Sequence, residues 1–495
     1  MEVAYLKGYL VTLVLICILV IIFLVYCRYK LNYWKRRGVT QLDRADKIFG
    51  DFKRGILFRS PPGYHFGELY HESSKDAPYV GFYIFHKPCL LLKDPQIIKQ
   101  ILVRDFHKFS NRNFSRSQEK DSSGMRNLFG IENPAWRYLR KKFSPNFTRR
   151  KLKQLLNFMM QTGEPMMEYM KSGPEGSKVI DVQDVNYRYS ADLITSVALG
   201  FQTDSFQCSN SDYTKFFMNY FHSWKRMVAV FTVFFVPELI TVLGARILYD
   251  SSFIEQKFWQ ILNAREKSDA KRGDFIDTLI ELKNREQDSL YKFEGGNLFA
   301  QSSMFFSGFQ TSSHVCSFTI MELARNKECQ ERARDCVQKA IAKHGWTFEG
   351  FNAMKYMDQV IAEGVRMHPA VPILDRYALE DYKIPNTDLT IEKGTPIYVS
   401  LYGIHRDPQF FDQPDVFDPE RFNGDRSIPD NYLPFGTGPR KCVGMKAGRL
   451  FIKVMISMIL SEYRLHQRTT EQVRLDKRAT FLSAEKGIYV EFTKI

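Results

Sequence analysis

Phe435-Gly436-Thr437-Gly438-Pro439-Arg440-Lys441-Cys442-Val443-Gly444 is a glycine-punctuated loop around one cysteine, and residues 445–460 behind it read as a largely apolar helix. Such a loop suits a thiolate held still and presented to a metal. Gly438 and Gly444 are expected to supply tight or left-handed backbone and to let a flat ligand approach. Backbone N–H groups at the start of the helix are expected to face the sulfur and stabilise its charge. Phe435 shields one side from water, and Arg440 offers a cation to a carboxylate on the ligand. Read alone, the loop also admits a buried structural cysteine before a helix.

Upstream, Glu363-Gly364-Val365-Arg366 places a carboxylate and a guanidinium on one helix face. Arg421 follows within Asp418-Pro419-Glu420-Arg421-Phe422. A glutamate shared by two arginines would lock the coil that leads to the cysteine, a structural role rather than a catalytic one. Trp136 and Arg140, four apart in a basic helical stretch, set an indole donor beside a cation. Residues 297–326 read as one long helix with Ser307-Gly308-Phe309-Gln310-Thr311-Ser312 at its middle. Gly308 lets a ligand approach the backbone, and the Thr311 hydroxyl is expected to bond back to the Ser307 carbonyl and open a kink.

The pattern F-x-x-G-x-R-x-C-x-G resembles the haem-thiolate loop of the cytochrome P450 family. The order E-x-x-R, P-E-R-F, cysteine loop is the family's order. Residues 307–311 resemble its oxygen-activation segment, usually small-Gly-x-acid-Thr. The resemblance runs over essentially the whole chain, and stretches such as 106–110, 127–129 and 136–145 look most like insect microsomal members that handle plant toxins and insecticides. It implies a mainly α fold with a smaller β-rich lobe (α+β) and haem b as cofactor, with Cys442 as axial ligand of the iron. It puts Trp136, Arg140, Arg376, His405 and Arg440 near the haem propionates and Phe435 and Gly444 beside the thiolate. Ser307, Gly308, Gln310 and Thr311 fall on the oxygen side. His405 reads equally well as a structural histidine in a turn. Gln310 departs from the pattern, because an amide orients water but does not titrate. Proton delivery is then expected to run through Thr311, water, and Ser307 or Ser312. The proline-rich hinge usual after the anchor is missing, which predicts a looser orientation at the membrane.

At 495 residues, with 41 phenylalanines and a formal charge of +15, the chain suits a large apolar interior and an anionic partner surface. No nucleic-acid motif accompanies the charge, which leaves an acidic protein or anionic lipid. Residues 8–27 are uncharged and, as a helix, span roughly 30 Å. Basic residues Arg28, Lys30, Lys35, Arg36 and Arg37 follow, so the body is expected in the cytosol. The division is an anchor (1–27), a basic, polar linker (28–50) and a catalytic domain (51–495), single-pass in the endoplasmic reticulum. Eight cysteines without a C-x-x-C pair read as free thiols. Asn113-Phe114-Ser115 and Asn146-Phe147-Thr148 match glycosylation acceptors that a cytosolic body would leave unused.

The resemblance implies a monooxygenase that inserts one oxygen atom from O2 into a lipophilic small molecule. Its electrons would come from NADPH–cytochrome P450 reductase, with cytochrome b5 as a second partner. The basic residues Arg137, Lys141, Lys142, Arg149, Arg150, Lys151, Lys153, Lys441, Lys446 and Arg449 would form the docking face. The pocket would draw on residues 111–134, a long polar loop and candidate lid, and on 201–237, 304–315, 370–374 and 480–482. Phe129, Phe216, Phe217, Phe221, Phe305, Phe309, Ile373 and Phe481 make it aromatic. No side chain stands out as an anchor for a charged substrate, so a neutral one is expected. Residues 227–237 form either a membrane-dipping segment or a core helix. The rival readings are an electron-independent haem-thiolate isomerase or dehydratase and a non-catalytic haem protein that binds lipophilic ligands.

Overall fold

The computed structural model describes residues 2–42, 45–117, 126–172, 177–243, 251–268, 271–285, 287–424, 428–468 and 473–495. Residues 118–125 of the candidate lid, residues 43 and 44 of the linker and the side chain of Phe221 lie outside the described set. Helix α1 (Glu2–Leu31) carries the uncharged run. Leu13, Leu19, Ile21 and Val25 stand exposed around it. The segment Thr12–Arg37 is long and apolar enough to cross a bilayer. Leaving so much apolar surface in water costs about 25 cal/mol per Å², so this helix calls for lipid.

The linker is pinned rather than loose. Trp34 is only 1% exposed. Its indole donates to the Phe82 carbonyl (3.4 Å), and its backbone N–H donates to the Tyr83 hydroxyl (3.1 Å). The Gly81 N–H bonds the Thr40 carbonyl at 2.8 Å. Gly81 has to be glycine, because a Cβ there would lie 2.2 Å from the Trp34 ring. A buried indole thus does the work expected of a proline hinge.

Strands β1 (Tyr79–Ile84) and β2 (Lys87–Leu92) pair as a hairpin. After β2 the Asp94 carboxylate accepts from the Gln96 and Ile97 N–H groups and caps the next helix. Helices α2 (Ala135–Phe143) and α3 (Arg149–Lys171), strand β3 (Ser177–Asp181) and helix α4 (Val182–Ile194) follow. Then come α5 (Asp212–His222), α6 (Trp224–Phe235), α7 (Gly296–Arg325) and α8 (Lys355–Met367). Strands β4 (Ile373–Tyr377) and β5 (Pro396–Ser400), helix α9 (Met445–Glu462) and strands β6 (Tyr463–Gln467) and β7 (Tyr489–Lys494) complete the chain.

The result is the expected helix-dominated fold with small sheets. One sheet has the order β1-β2-β5-β4, with Leu90 opposite Ile397 in parallel register and Leu374 opposite Val399 in antiparallel register. A second has the order β3-β7-β6, and a short two-stranded sheet pairs Tyr382–Lys383 with Thr390–Ile391. The C-terminal strand β7 is the central one, between two partners, with Ile180 opposite Val490 and Leu465 opposite Phe492.

Helix α7 is buried along most of its length and packs on α4 and α9, and its buried positions include polar ones such as Gln301, Ser302, Ser313 and Thr319. Asn186 donates to the Ser317 hydroxyl (2.9 Å), and the Phe309 and Phe451 rings lie 5.8 Å apart. Helix α6 takes the core role. Phe231, Phe234 and Phe235 are buried against the strand-side core, while Trp224 at its start is exposed.

Candidate functional site

The cysteine loop is closed by its own backbone. The Cys442 N–H donates to the Phe435 carbonyl (2.9 Å), Lys441 N–H to Gly438, and Gly436 N–H to Leu433. Gly438 has φ +68°, and a Cβ there would meet the Leu102 carbonyl at 2.1 Å, so both strain and space demand glycine. Gly444 differs from expectation: its backbone is right-handed (φ −86°), and it opens α9 as the N-cap. Burial pushes the Cys442 thiol up; the Gly444 N–H and then Arg140, Arg112 and Lys441 pull it down. A neighbourhood with N–H groups and three cations suits a thiolate once a metal takes the sulfur.

Deep as it sits, the Cys442 side chain is solvent-accessible, so it faces a void. The same holds on α7, where Ser307 and Gly308 are exposed and Thr311 half-exposed in an otherwise buried helix. Nothing lies within 4 Å of a Cβ built on Gly308. The two accessible patches belong to packed elements: a Cβ on Gly448, early in α9, would lie 3.1 Å from the Ser312 hydroxyl. The Thr311 hydroxyl bonds the Gly308 carbonyl (2.9 Å), not that of Ser307, and Ser312 bonds the same carbonyl (3.1 Å). The helix runs unbroken from Gly296 to Arg325 through this segment.

Cations gather beside this void. Arg440 donates through Nε to the Ser110 carbonyl and through Nη2 to the Ile131 carbonyl, both at 2.9 Å, and its guanidinium lies 4.4 Å from the Trp136 ring centroid. Among the described residues its buried Nη1 has no hydrogen-bond partner. Arg376 donates to the Asp375 carbonyl (2.6 Å) and keeps a buried, unpartnered Nε. Arg112, which the sequence reading did not single out, reaches the Asp375 carboxylate at 3.7 Å and also keeps an unpartnered Nε. Burial and then repulsion from Arg112 and Arg376 push Arg440 down to about 8; burial and then Arg112 push Arg376 down to about 9. Three guanidinia share one buried carboxylate, and the surplus charge fits a ligand that brings carboxylates of its own. Arg140 sits at the loop, its Nη1 donating to the Lys441 carbonyl (2.8 Å).

His405 stands elsewhere. Burial and then the Arg366 guanidinium push it down to about 3, so it is neutral. Its Nε2 accepts from the Leu433 N–H (3.2 Å), and its carbonyl accepts from Arg366 (2.7 Å). It belongs with the expected lock and is no cation for a propionate. Arg366 grips Glu363 through two bonds of 2.6 and 2.7 Å. Glu363 also accepts from Arg421 (3.3 Å) and from the Asp418 N–H (2.9 Å). The Tyr432 hydroxyl bonds the Ala362 carbonyl, tying α8 to the segment that enters the cysteine loop.

Gln310 is buried, and its Oε1 accepts from Arg226 Nη2 at 2.6 Å. Arg226, at the edge of the charge-free run 227–237, carried no sequence signal of its own. Several pocket candidates turn out to be core. Phe217 is fully buried against Phe306, and Phe309 lies between Phe305 and Phe451. Phe129 stacks on Phe114 under Arg112.

The sequence model of the cytochrome P450 family matches residues 55–492. The chain belongs to the cytochrome P450 family. It is similar to cytochrome P450 6k1 of Blattella germanica, at 34% identity over 97% of each chain. It is also similar to the probable cytochrome P450 6g2 of Drosophila melanogaster, at 32% over 98% of this chain and 99% of that one. Cytochrome P450 6a2 of the same fly is 31% identical over 94% and 96%. This cytochrome P450 is thus of the insect kind and a monooxygenase. Members of the family bind haem iron through a cysteine thiolate. The cysteine void and the unpartnered arginine nitrogens fit that group.

Proposed function

We propose that the enzyme inserts one oxygen atom from O2 into lipophilic small molecules, with Cys442 as the haem ligand and electrons drawn from NADPH through a flavoprotein reductase. The observation that carries this reading is the solvent-accessible Cys442 thiol in its backbone-closed loop, together with an accessible Ser307–Gly308–Thr311 face on α7, which packs against the α9 helix behind that loop. Bound haem supplies the activation of dioxygen. The chain supplies the setting. Arg112, Arg376 and Arg440 neutralise the haem carboxylates, with Trp136 and Arg140 beside them. Phe435 closes the loop behind the thiolate through its carbonyl. Gly308 leaves room for oxygen and substrate, and Thr311 holds a hydroxyl at that opening. With purified reductase and a panel of lipophilic compounds, product formation is expected to consume NADPH. Turnover without NADPH would establish the isomerase or dehydratase instead, and binding without turnover under either condition the carrier.

The electron path enters from the basic face. Lys141 is exposed, and among the described residues neither it nor Lys142 has an acidic partner, whereas Arg149 and Lys153 share Glu349. An acidic reductase surface docks there, and cytochrome b5 competes for the same face. Reversing the charge of Lys141 and Lys142 is expected to slow haem reduction several-fold at low ionic strength and little at high ionic strength. Equal rates at low salt would assign this face to lipid.

The anchor holds the body on the cytosolic side of the endoplasmic reticulum. Asn113 is fully buried and donates to the Tyr398 hydroxyl (3.2 Å), so no glycan reaches it on either side. Asn146 is half-buried and is the usable reporter of the two. Protease added to intact microsomes is expected to digest the body. A glycan on Asn146 would reverse the orientation.

A further inference from the structure

Where the family usually carries an acid this chain has Gln310, which does not titrate and whose oxygen is already taken by Arg226 at 2.6 Å. One turn further along α7 stands a group that does titrate. Ser307, Gln310, Thr311 and His314 fall at i, i+3, i+4 and i+7, on one stripe of the helix. The stripe starts at exposed Ser307, passes half-exposed Thr311 and is covered at His314, which is 3% exposed. His314 Nε2 lies 2.7 Å from the hydroxyl of buried Tyr187 on α4. That hydroxyl lies 3.5 Å from the Ser483 hydroxyl. Ser483 lines a surface cleft of about 210 Å³ at the start of α4, where Asp181, Asp184, Asp476 and Glu485 outnumber Arg478 and Lys486. Met227 lines the same cleft, and its chain neighbour Arg226 is the residue that holds Gln310. Cleft and stripe therefore adjoin, with Tyr187 between them.

We propose that Ser483, Tyr187 and His314 carry protons from this cleft to the oxygen side of the site, in place of the acid that position 310 lacks. This rests on the NADPH-driven monooxygenase reading above. Each turnover takes two electrons from NADPH and two protons. The O–O bond breaks, one oxygen enters a C–H bond of the substrate, and the other leaves as water with both protons. Protons that arrive late leave the O–O bond intact, and the electrons depart in hydrogen peroxide. The buried pair suits the task. Imidazole takes a proton at one nitrogen and releases one from the other, and a hydroxyl accepts while it donates. Burial pushes the Tyr187 phenol up against the pull of Ser483, so it hands protons on without standing as an anion. Fastening α4 to α7 does not call for such groups: Asn186 with Ser317 (2.9 Å) and Ser190 with the Phe309 carbonyl (3.2 Å) already do so. The last step, over one helical turn from His314, runs through water held by the Thr311 hydroxyl.

The purified holoenzyme with reductase, NADPH and 7-ethoxycoumarin, a neutral lipophilic probe, tests this. Tyr187→Phe and His314→Gln are each expected to cut product per NADPH about tenfold and to raise peroxide in step, a modest part of the about 10²–10⁴ that a placed proton donor contributes. Peroxide per NADPH is read with and without the probe, so the comparison does not hinge on one compound. Glutamine at 314 keeps a hydrogen bond to Tyr187 but does not titrate, so a purely structural role predicts parental coupling for it. Cumene hydroperoxide brings its own O–O bond and proton, and with it both variants are expected to match the parent. Proton exchange gives a readout without turnover. In reduced, CO-bound protein labelled with 15N-histidine, the His314 imidazole N–H is expected to exchange with D2O more slowly once Tyr187→Phe removes the hydroxyl. Should Tyr187→Phe fail to fold, His314→Gln decides, together with Ser483→Ala, which is expected to shift coupling the same way by less. Parental coupling in His314→Gln, or an equal loss in the hydroperoxide-driven reaction, would overturn the relay and leave the monooxygenase reading standing. A parent protein that draws no electrons from NADPH would overturn that reading, and the relay with it.

Discussion

The Cys442→Ser protein is expected to fold, to lose the long-wavelength band of the reduced, CO-bound thiolate complex, and to show turnover at background. The loop does not depend on the sulfur for its shape. Its bonds run through the backbone of Cys442, Lys441 and Gly436, and Arg440 ties it to the Ser110 and Ile131 carbonyls. Serine is close in size and leaves all of these in place. What it lacks is a soft, anionic sulfur to donate charge to iron and favour O–O cleavage. Circular dichroism with the CO spectrum separates the two effects. A retained band with a normal fold would mean that Cys442 is not the ligand.

Arg366→Ala is expected to do the opposite, removing the fold and with it the haem. Arg366 and Glu363 have side chains with no solvent exposure, and their paired bonds satisfy both carboxylate oxygens. Deleting the guanidinium leaves Glu363 buried with Arg421 at 3.3 Å as its remaining cation. Breaking a buried pair from one side costs about 3–5 kcal/mol, against a total stability of about 5–15 kcal/mol. The His405 carbonyl loses its donor at the same time, next to the Leu433 contact that positions the entry to the cysteine loop. Arg366→Lys is expected to rescue poorly, because a point charge cannot bridge both oxygens. Haem content and thermal melting measure this. A fully haem-loaded Arg366→Ala protein melting like the parent would show that the lock does not hold the loop.

The sequence made legible whatever is local or fixed by spacing. The cysteine loop, the Glu363–Arg366–Arg421 cluster and the long helix, expected over 297–326 and found over Gly296–Arg325, needed only near neighbours or a motif order. Partnerships between remote residues stayed hidden. Arg226 and Gln310 are 84 positions apart, and neither names the other in sequence. Arg112 looks like any basic residue in a polar loop until the fold sets Asp375 against it. His405 is the instructive error: its type suits a propionate, but burial beside Arg366 keeps it neutral and turns it to the backbone of Leu433. The Thr311 hydroxyl took the carbonyl three residues back rather than four, and both choices are open to a threonine on a helix. The position of Gln310 was readable, but its role as partner to a cation was not.

The Trp34 indole also fixes where this chain tolerates cutting. It lies beyond the lipid-facing helix yet fills a slot between Gly81 and Phe82 in the body. A water-soluble version trimmed at Leu31 keeps the plug. One trimmed at residue 50, where composition alone would place the border, leaves an indole-sized hole against the β1 edge, a loss worth about 3–5 kcal/mol for a tryptophan. Grafting a different membrane helix onto this body meets the same rule. Residues 32–42 travel with the sheet and not with the anchor, and only the part up to Leu31 is interchangeable.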